Sequence, residues 1–246
     1  MTVFLLSDEL SFPNPELSEP DGLLAIGGDL SPERLILAYE VGIFPWYNEL
    51  PIMWWSPPKR PLIFPRLFNL SRSLYQILKK DIFKVTFNKD FEAVIDCCAH
   101  SKRKDSYGTW ITAEMKEAYI VLHHLEYAQS VEVWREKELV GGLYGISIGK
   151  AFFGESMFSL ISNASKIALA CLVEFLIKND FYFIDCQITN EHILRMGAIE
   201  IPRCVFLKLL SEAIQKNFII EKWSYEKIST KHTALFLKNK LIKRSP

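Results

Sequence analysis

GGLYGISIGKAFFGESMFSLISNASKIALACLVEFLIKNDFYFIDCQ, residues 141–187, carries more information than any other stretch of this 246-residue chain. A glycine-rich strand leads into a tight turn at Ile148-Gly149-Lys150, and a second strand returns from it. Glycine supplies the backbone freedom that such turns need. Past a polar loop, ASKIALACLVEFLIKND is apolar nearly all round, the pattern of a helix that lies against a sheet, and Ser162 or Asn163 is its expected cap. A third strand, Phe181 to Ile184, exits into Asp185-Cys186-Gln187. Every neighbour of Glu155, Asp185 and Gln187 is apolar, aromatic or small. Polar groups in such surroundings must be paired or put to use.

Upstream, Ser130 to Arg135 alternates like a strand and Glu136-Lys137-Glu138 turns it back, so an antiparallel meander precedes the strand–helix–strand unit. A short helix from Asn190 is ended by Gly197. This order predicts an α+β fold with an acetyltransferase-like sheet, whose ligands sit where neighbouring strands splay. Gly141, Gly142 and Gly145 make neither a Walker loop nor a GxGxxG fingerprint, because no helix follows them directly.

Nearer the N-terminus, Ser31 and Pro32 open a helix that Gly42 ends, Ser71 opens a second, and Thr112 caps a third. His123 and His124 are adjacent on that third helix, so they point apart, cannot share a metal ion, and read as surface or capping residues. Trp46, Trp54 and Trp55 fall within ten residues, a crowding that suits a pocket wall and equally a small aromatic core. A small N-terminal α+β domain over residues 1–61 and a larger domain over 62–246 are expected.

An apolar content of 49% supports a well-filled core. The five cysteines show no CxxC spacing and read as reduced thiols of the cytosol. No basic, apolar leader opens the chain, and no run reaches the roughly 18 apolar residues of a membrane span. A soluble cytoplasmic monomer is expected. The zero net charge conceals segregation. Residues 1–58 hold one base, Arg34, against nine acids; residues 59–104 hold eleven bases against four acids; residues 208–246 hold nine against three. The bases around Arg72, Lys79, Lys80 and Lys84 read as a solvated face on composition alone, or as a track for phosphates.

EPDGLLAIGGDLSPERL, GIFPW, WWSPP, GTWIT, SVEVW, GGLYG, FGESMFS, NASK, IDCQ and MGAIEIPR stand in the order and spacing of the leucyl/phenylalanyl-tRNA–protein transferase family, which the chain resembles from about Phe12 to Arg203. The resemblance implies a C-terminal acetyltransferase-like domain behind a small N-terminal one. It also implies transfer of Leu or Phe, or Met, from aminoacyl-tRNA to the N-terminal Arg or Lys of acceptor proteins, which are thereby marked for the N-degron route. The chain departs from the family pattern at Leu160-Ile161, where a basic residue is usual, and at bulkier residues between Asn190 and Met196.

An aminoacyl ester is activated, so attack by an α-amine of pKa about 8 requires no ATP, metal or organic cofactor, only orientation and a proton acceptor. The resemblance implies Asp185 with Gln187 for that role, and Glu155 either orienting the substrate, relaying protons or meeting the acceptor's cationic residue. The division of labour between Glu155 and the Asp185–Gln187 pair stays open at this level, as does acceleration by binding geometry alone. By the same carry-over, Trp46, Trp110, Phe152 and the segment from Gly154 through Met157 to Ser159 form the pocket for the Leu or Phe side chain and terminal adenosine. Arg72, Lys79, Lys80 and Lys84 become the acceptor-stem track. Two alternatives compete: an acyl-CoA N-acetyltransferase, which would need a pyrophosphate-binding loop where NASK stands, and a tRNA- or peptide-binding module without activity.

Overall fold

The computed structural model describes residues 3–101, 111–215, 223 and 228–241. Trp110 and the basic run Lys102, Arg103 and Lys104 lie outside them. Two sheets organise the rest.

The N-terminal part comprises β1 (Phe4–Leu6), β2 (Leu23–Gly27), α1 (Pro32–Glu40), β3 (Phe44–Pro45) and β4 (Met53–Trp55), with the strands in the order β1-β2-β4-β3. Ser31 caps α1 by accepting from the Arg34 amide at 3.4 Å, as its position before Pro32 predicts. Trp54 is fully buried in this small sheet; its indole donates to the Gly27 carbonyl at 2.8 Å and Phe12 packs edge-on against it. Of the two readings of the crowded tryptophans, Trp54 thus follows the aromatic-core one.

The remaining elements are β5 (Lys59–Ile63), α2 (Arg72–Lys79), β6 (Lys84–Phe87), α3 (Phe91–Ala99), α4 (Ala113–His124), β7 (Ala128–Arg135), β8 (Glu138–Ile148), β9 (Ala151–Ser159), α5 (Ala164–Lys178), β10 (Phe183–Asp185), α6 (Glu191–Arg195), β11 (Ile199–Pro202), α7 (Arg203–Ile214), β12 (Ile228–Ser229) and α8 (Thr230–Lys240). Their strands form one sheet in the order β11-β5-β10-β9-β8-β7-β6-β12. Every pairing in it is antiparallel except β9 with β10. The fold is therefore mixed α+β, with the meander expected from residues 130–159 at its centre. The expected boundary after residue 61 falls within β5, a strand of the large sheet.

Helices cover both faces. On one, α5 lies over β7, β8 and β9 and is flanked by α2 and α8; on the other lie α1, α3, α4 and α7. Helix α5 is buried along nearly its whole length, which is why its sequence shows no polar stripe. Its cap differs from expectation. Asn163 adopts a left-handed φ of 69° and makes no side-chain cap; Ser159, at the end of β9, accepts from the Ser165 amide at 2.8 Å instead. His123 also differs from a surface reading: its ring stacks on Phe91 at 4.3 Å and its Nδ1 meets the Ala128 carbonyl oxygen at 2.8 Å.

One pairing detail opens the sheet. Strand β10 runs beside β9 only through Phe183↔Ala151, Ile184↔Phe152 and Asp185↔Phe153, whereas β9 continues to Ser159. Opposite, the register between β8 and β9 shifts at Tyr144/Gly145. A Cβ on Gly145 would stand 2.2 Å from the Phe153 carbonyl oxygen, so no other residue fits there. Beyond Asp185 the edge of β9 is left without β10, and a cavity occupies the gap.

Candidate active site

The cavity holds about 400 Å³ beneath α5. Its walls are apolar, from Leu143, Phe152, Met157, Leu169, Leu172 and Ile184, with Glu155, Asn190 and His192 among the polar groups that face it. Size and lining suit a single bulky aliphatic or aromatic side chain.

Glu155 lies two residues past the last β9–β10 pair, almost fully buried. Three neutral groups donate to its carboxylate. Tyr39, from α1, donates to Oε1 at 2.8 Å; Gln187 Nε2 donates to Oε1 at 2.5 Å; Tyr119, from α4, donates to Oε2 at 3.0 Å. The two tyrosine hydroxyls also touch each other. Burial pushes the Glu155 carboxyl up to about 7, against the opposing pull of these three hydrogen bonds; the charge of Asp185 adds a smaller push upward. Burial, then the charge of Glu155, lifts both phenols well above their usual range, so they remain donors.

Asp185, fully buried, is held differently. Arg60 of β5 grips both of its oxygens, Nε on Oδ1 at 3.2 Å and Nη2 on Oδ2, while the Gln187 amide donates to Oδ1 at 2.9 Å. The Arg60 guanidinium is itself buried, lies 4.1 Å from the centre of the Phe206 ring, and donates through Nη1 to the Gly42 carbonyl at 2.7 Å. Gly42 has φ +79°, and a Cβ there would meet Leu207 at 2.6 Å, so the carbonyl that Arg60 uses is fixed by a glycine-only turn. A bidentate guanidinium–carboxylate pair satisfied on every side is the form in which buried opposite charges are tolerated.

Gln187 joins the two acids. Its backbone amide is bound to Asp185, its side-chain amide to Glu155, and its φ of 61° is left-handed. That conformation is costly for a residue with a side chain and persists only where its surroundings impose it. The result is a continuous chain of contacts: Gly42, Arg60, Asp185, Gln187, Glu155, Tyr39. Because Tyr39 lies near the C-terminal end of α1, whose turn carries Gly42, the chain closes on itself.

The structure gathers Glu155, Asp185 and Gln187 into this network, and Phe152, Gly154 and Met157 onto the cavity wall. Trp46 is 40% exposed, packed edge-on against Trp55, and does not line the cavity. Ser159 is engaged with Ser165 at the start of α5. Arg72, Lys79, Lys80 and Lys84 are exposed on α2, just after it, and at the start of β6. Sequence reasoning missed Arg60, Tyr39 and Tyr119. In sequence both tyrosines stand among the apolar residues of α1 and α4 like ordinary core, and the one signal for Arg60 is its place directly before the apolar run Pro61 to Phe64.

Fold and site together define a mixed α+β protein built around a buried acid in an apolar cleft. Its residues 62–211 match the profile described as leucyl/phenylalanyl-tRNA protein transferase, and residues 28–58 match that family's N-terminal domain. A curated protein named leucyl/phenylalanyl-tRNA–protein transferase from Thermodesulfovibrio yellowstonii is 68% identical over 99% of this chain and 100% of its own length. One of the same name from Syntrophobacter fumaroxidans is 52% identical over 92% of this chain and 97% of its own. The chain belongs to the leucyl/phenylalanyl-tRNA–protein transferase family, which is a family of aminoacyltransferases. Among solved structures, that of L-PGS from Bacillus licheniformis aligns at a TM-score of 0.38 with 12% identity over 68% of this chain and 54% of that one, too distant to argue from.

Proposed function

We propose that this protein transfers Leu or Phe from aminoacyl-tRNA to the N-terminal Arg or Lys of acceptor proteins, marking them for degradation in the cytoplasm. The observation that supports the reading most is a buried, neutral-range carboxyl, Glu155, facing an apolar cavity large enough for a Leu or Phe side chain. Among the described residues no helix is long and apolar enough to cross a membrane.

In this reading the aminoacyl side chain enters the cavity against Phe152 and Met157, with Gly154 on its wall, and the ester carbonyl stands near Glu155. The acceptor's α-amine attacks the carbonyl carbon, a C–N bond forms, and the C–O bond to the ribose breaks. The amine proton passes to the Glu155 carboxylate, which then gives it to the departing ribose oxygen, so that the ribose leaves as a hydroxyl and Glu155 is returned to its carboxylate form. An acid held near 7 is matched to a proton donor whose own pKa is about 8. Gln187 orients Glu155, and Asp185, occupied by Arg60, fixes Gln187 rather than taking the proton itself. Tyr39 and Tyr119 hold the carboxylate. Trp46, Trp110 and Ser159 are proposed to contribute at the adenosine end, and Arg72, Lys79, Lys80 and Lys84 to bind the acceptor stem through its phosphates.

The same reading takes the large sheet as acetyltransferase-like: antiparallel strands with one parallel pair, β9 and β10, that part at the cleft. Residues 1–61 are proposed as an N-terminal domain that lends Tyr39 and Arg60 to the site, and the protein as a monomer. The decisive experiment incubates the protein with labelled Leu-tRNA and a peptide beginning with Arg. Labelled peptide is expected; acetylation from acetyl-CoA with Leu-tRNA untouched, or tRNA binding without transfer, would refute the assignment.

A further inference from the structure

Two basic segments far apart in sequence meet at one edge of the structure. Helix α2 and the start of β6 bring Arg72, Lys79, Lys80 and Lys84; α8 brings Lys231 and Lys238, all exposed. The meeting is built, not incidental. Strand β12 pairs with β6 through Ile228↔Val85 and Ser229↔Lys84. Asp81 accepts from the Ser229 hydroxyl at 3.0 Å and from the Thr230 hydroxyl and Lys231 amide at 3.1 Å each, while Thr230 donates to the Leu78 carbonyl at 2.9 Å. Ala234 and Leu237 are fully buried beneath. With α8 so fixed, Lys79 and Lys238 each bring an ammonium to 5.6 Å from the centre of the same Tyr75 ring.

This concentration of like charge calls for an anionic partner. Bringing ammonium groups together on one ridge is electrostatically unfavourable unless counter-ions or a ligand neutralise them. Among the described residues, the acid at this edge, Asp81, is turned to the start of α8, and Glu174 beneath it is bound to Lys178 at 2.6 Å and His232 at 3.2 Å. The ridge also shares the α5 side of the sheet with the cavity. Leu169 and Leu172 of α5 line the cavity, while Cys171, between them, meets Thr233 of α8 at 3.5 Å. Helix α5 thus stands between the cavity and α8.

Resting on the transferase reading, we propose that α8 belongs to the RNA-binding surface: Lys231 and Lys238 extend the α2 track and take phosphates of the tRNA beyond its aminoacylated end. An acceptor protein presenting a cationic N-terminal residue would be repelled by this ridge, whereas a duplex recognised through its phosphates is attracted. The helix falls outside both segments matched by the family profiles, residues 28–58 and 62–211.

Two double variants test it in the full-length protein, Lys231→Glu with Lys238→Glu and the neutral Lys231→Gln with Lys238→Gln, both expected to melt as the wild type does. Affinity for Leu-tRNA is measured over a salt series, and transfer at saturating tRNA separately. The acidic pair should weaken binding about 10-fold at moderate salt, and each lost contact should flatten the salt slope by roughly 0.7 to 0.9. The neutral pair should show the same slope change with a smaller affinity loss, and the rate at saturation should stay within about two-fold. Unchanged affinity and slope in both variants would overturn the proposal, as would a raised KM for the acceptor peptide with tRNA binding intact. Transfer and binding are read apart, so a wild type that binds Leu-tRNA but transfers nothing refutes the transferase reading while the affinities still judge the ridge.

Discussion

Asp185 ends β10 and Glu155 lies midway along the neighbouring β9, and the surroundings of one reverse those of the other. Asp185 is answered by a guanidinium and a backbone amide; Glu155 is answered by two phenols and a carboxamide, none of them charged. Burial is nearly equal, so the partners make the difference. An acid gripped on both oxygens by a guanidinium is a good anchor. An acid with only neutral donors sits near the pH of the cell and can exchange its proton. Two carboxyl groups within one network are thereby held in opposite electrostatic settings.

The harshest way to break this contrast is to remove the cation. Arg60→Met leaves Asp185 buried and unpaired, at a cost of about 3 to 5 kcal/mol in urea unfolding, and replacing Asp185 by Leu in the same chain should restore much of that loss. If Arg60→Met unfolds like the wild type, the ion pair is not what anchors β10. Next in size is Glu155→Gln, expected to slow transfer by a factor on the order of 10² to 10⁴ with Leu-tRNA affinity nearly unchanged. Equal losses in rate and affinity would instead make Glu155 a binding residue. In the wild type the transfer rate should climb as pH rises through about 7, when Glu155 loses its proton. Tyr119→Phe removes one donor to the charged form, so that midpoint should move to higher pH, and a midpoint that stays in place would detach Tyr119 from the acid.

The smallest effect is on stability. The folded-state value for Glu155, about 7, lies above its ordinary 4.5, so the folded protein binds the proton more tightly than the unfolded chain. The stabilising contribution is complete below about 4.5 and lost as pH rises through about 7. Unfolding free energies compared at pH 5 and pH 8 should therefore differ less in Glu155→Gln than in the wild type.

How much of this was readable beforehand follows from the range over which each feature is encoded. The meander, α5 and the cap of α1 are local, set by alternation, apolar content and the Ser31-Pro32 pair, and they appear where expected. The cap of α5 was misplaced because its donor, Ser165, is met by a serine six residues back on a strand end rather than by the adjacent Asn163. Glu155, Asp185 and Gln187 stood out as polar residues in apolar surroundings, but their partners did not. Arg60 lies 125 residues from Asp185, and Tyr39 lies 116 from Glu155. Neither distance leaves a periodic trace, and a buried arginine cannot be told from an exposed one by type alone. The terminal helix was invisible as an element with a task because its lysines acquire meaning only when β12 sets them beside α2.

The position of β10 between β5 and β9 bears on how the chain comes off the ribosome. Residues 59–63 emerge early, yet their neighbour in the sheet is not made until residues 183–185 follow. Through that interval the cation at position 60 has no carboxylate to meet. The half of the sheet holding β5, β10 and β11 is therefore the late half of folding, assembled through contacts of very long sequence separation, while the β7–β8–β9 meander can form as soon as it is synthesised.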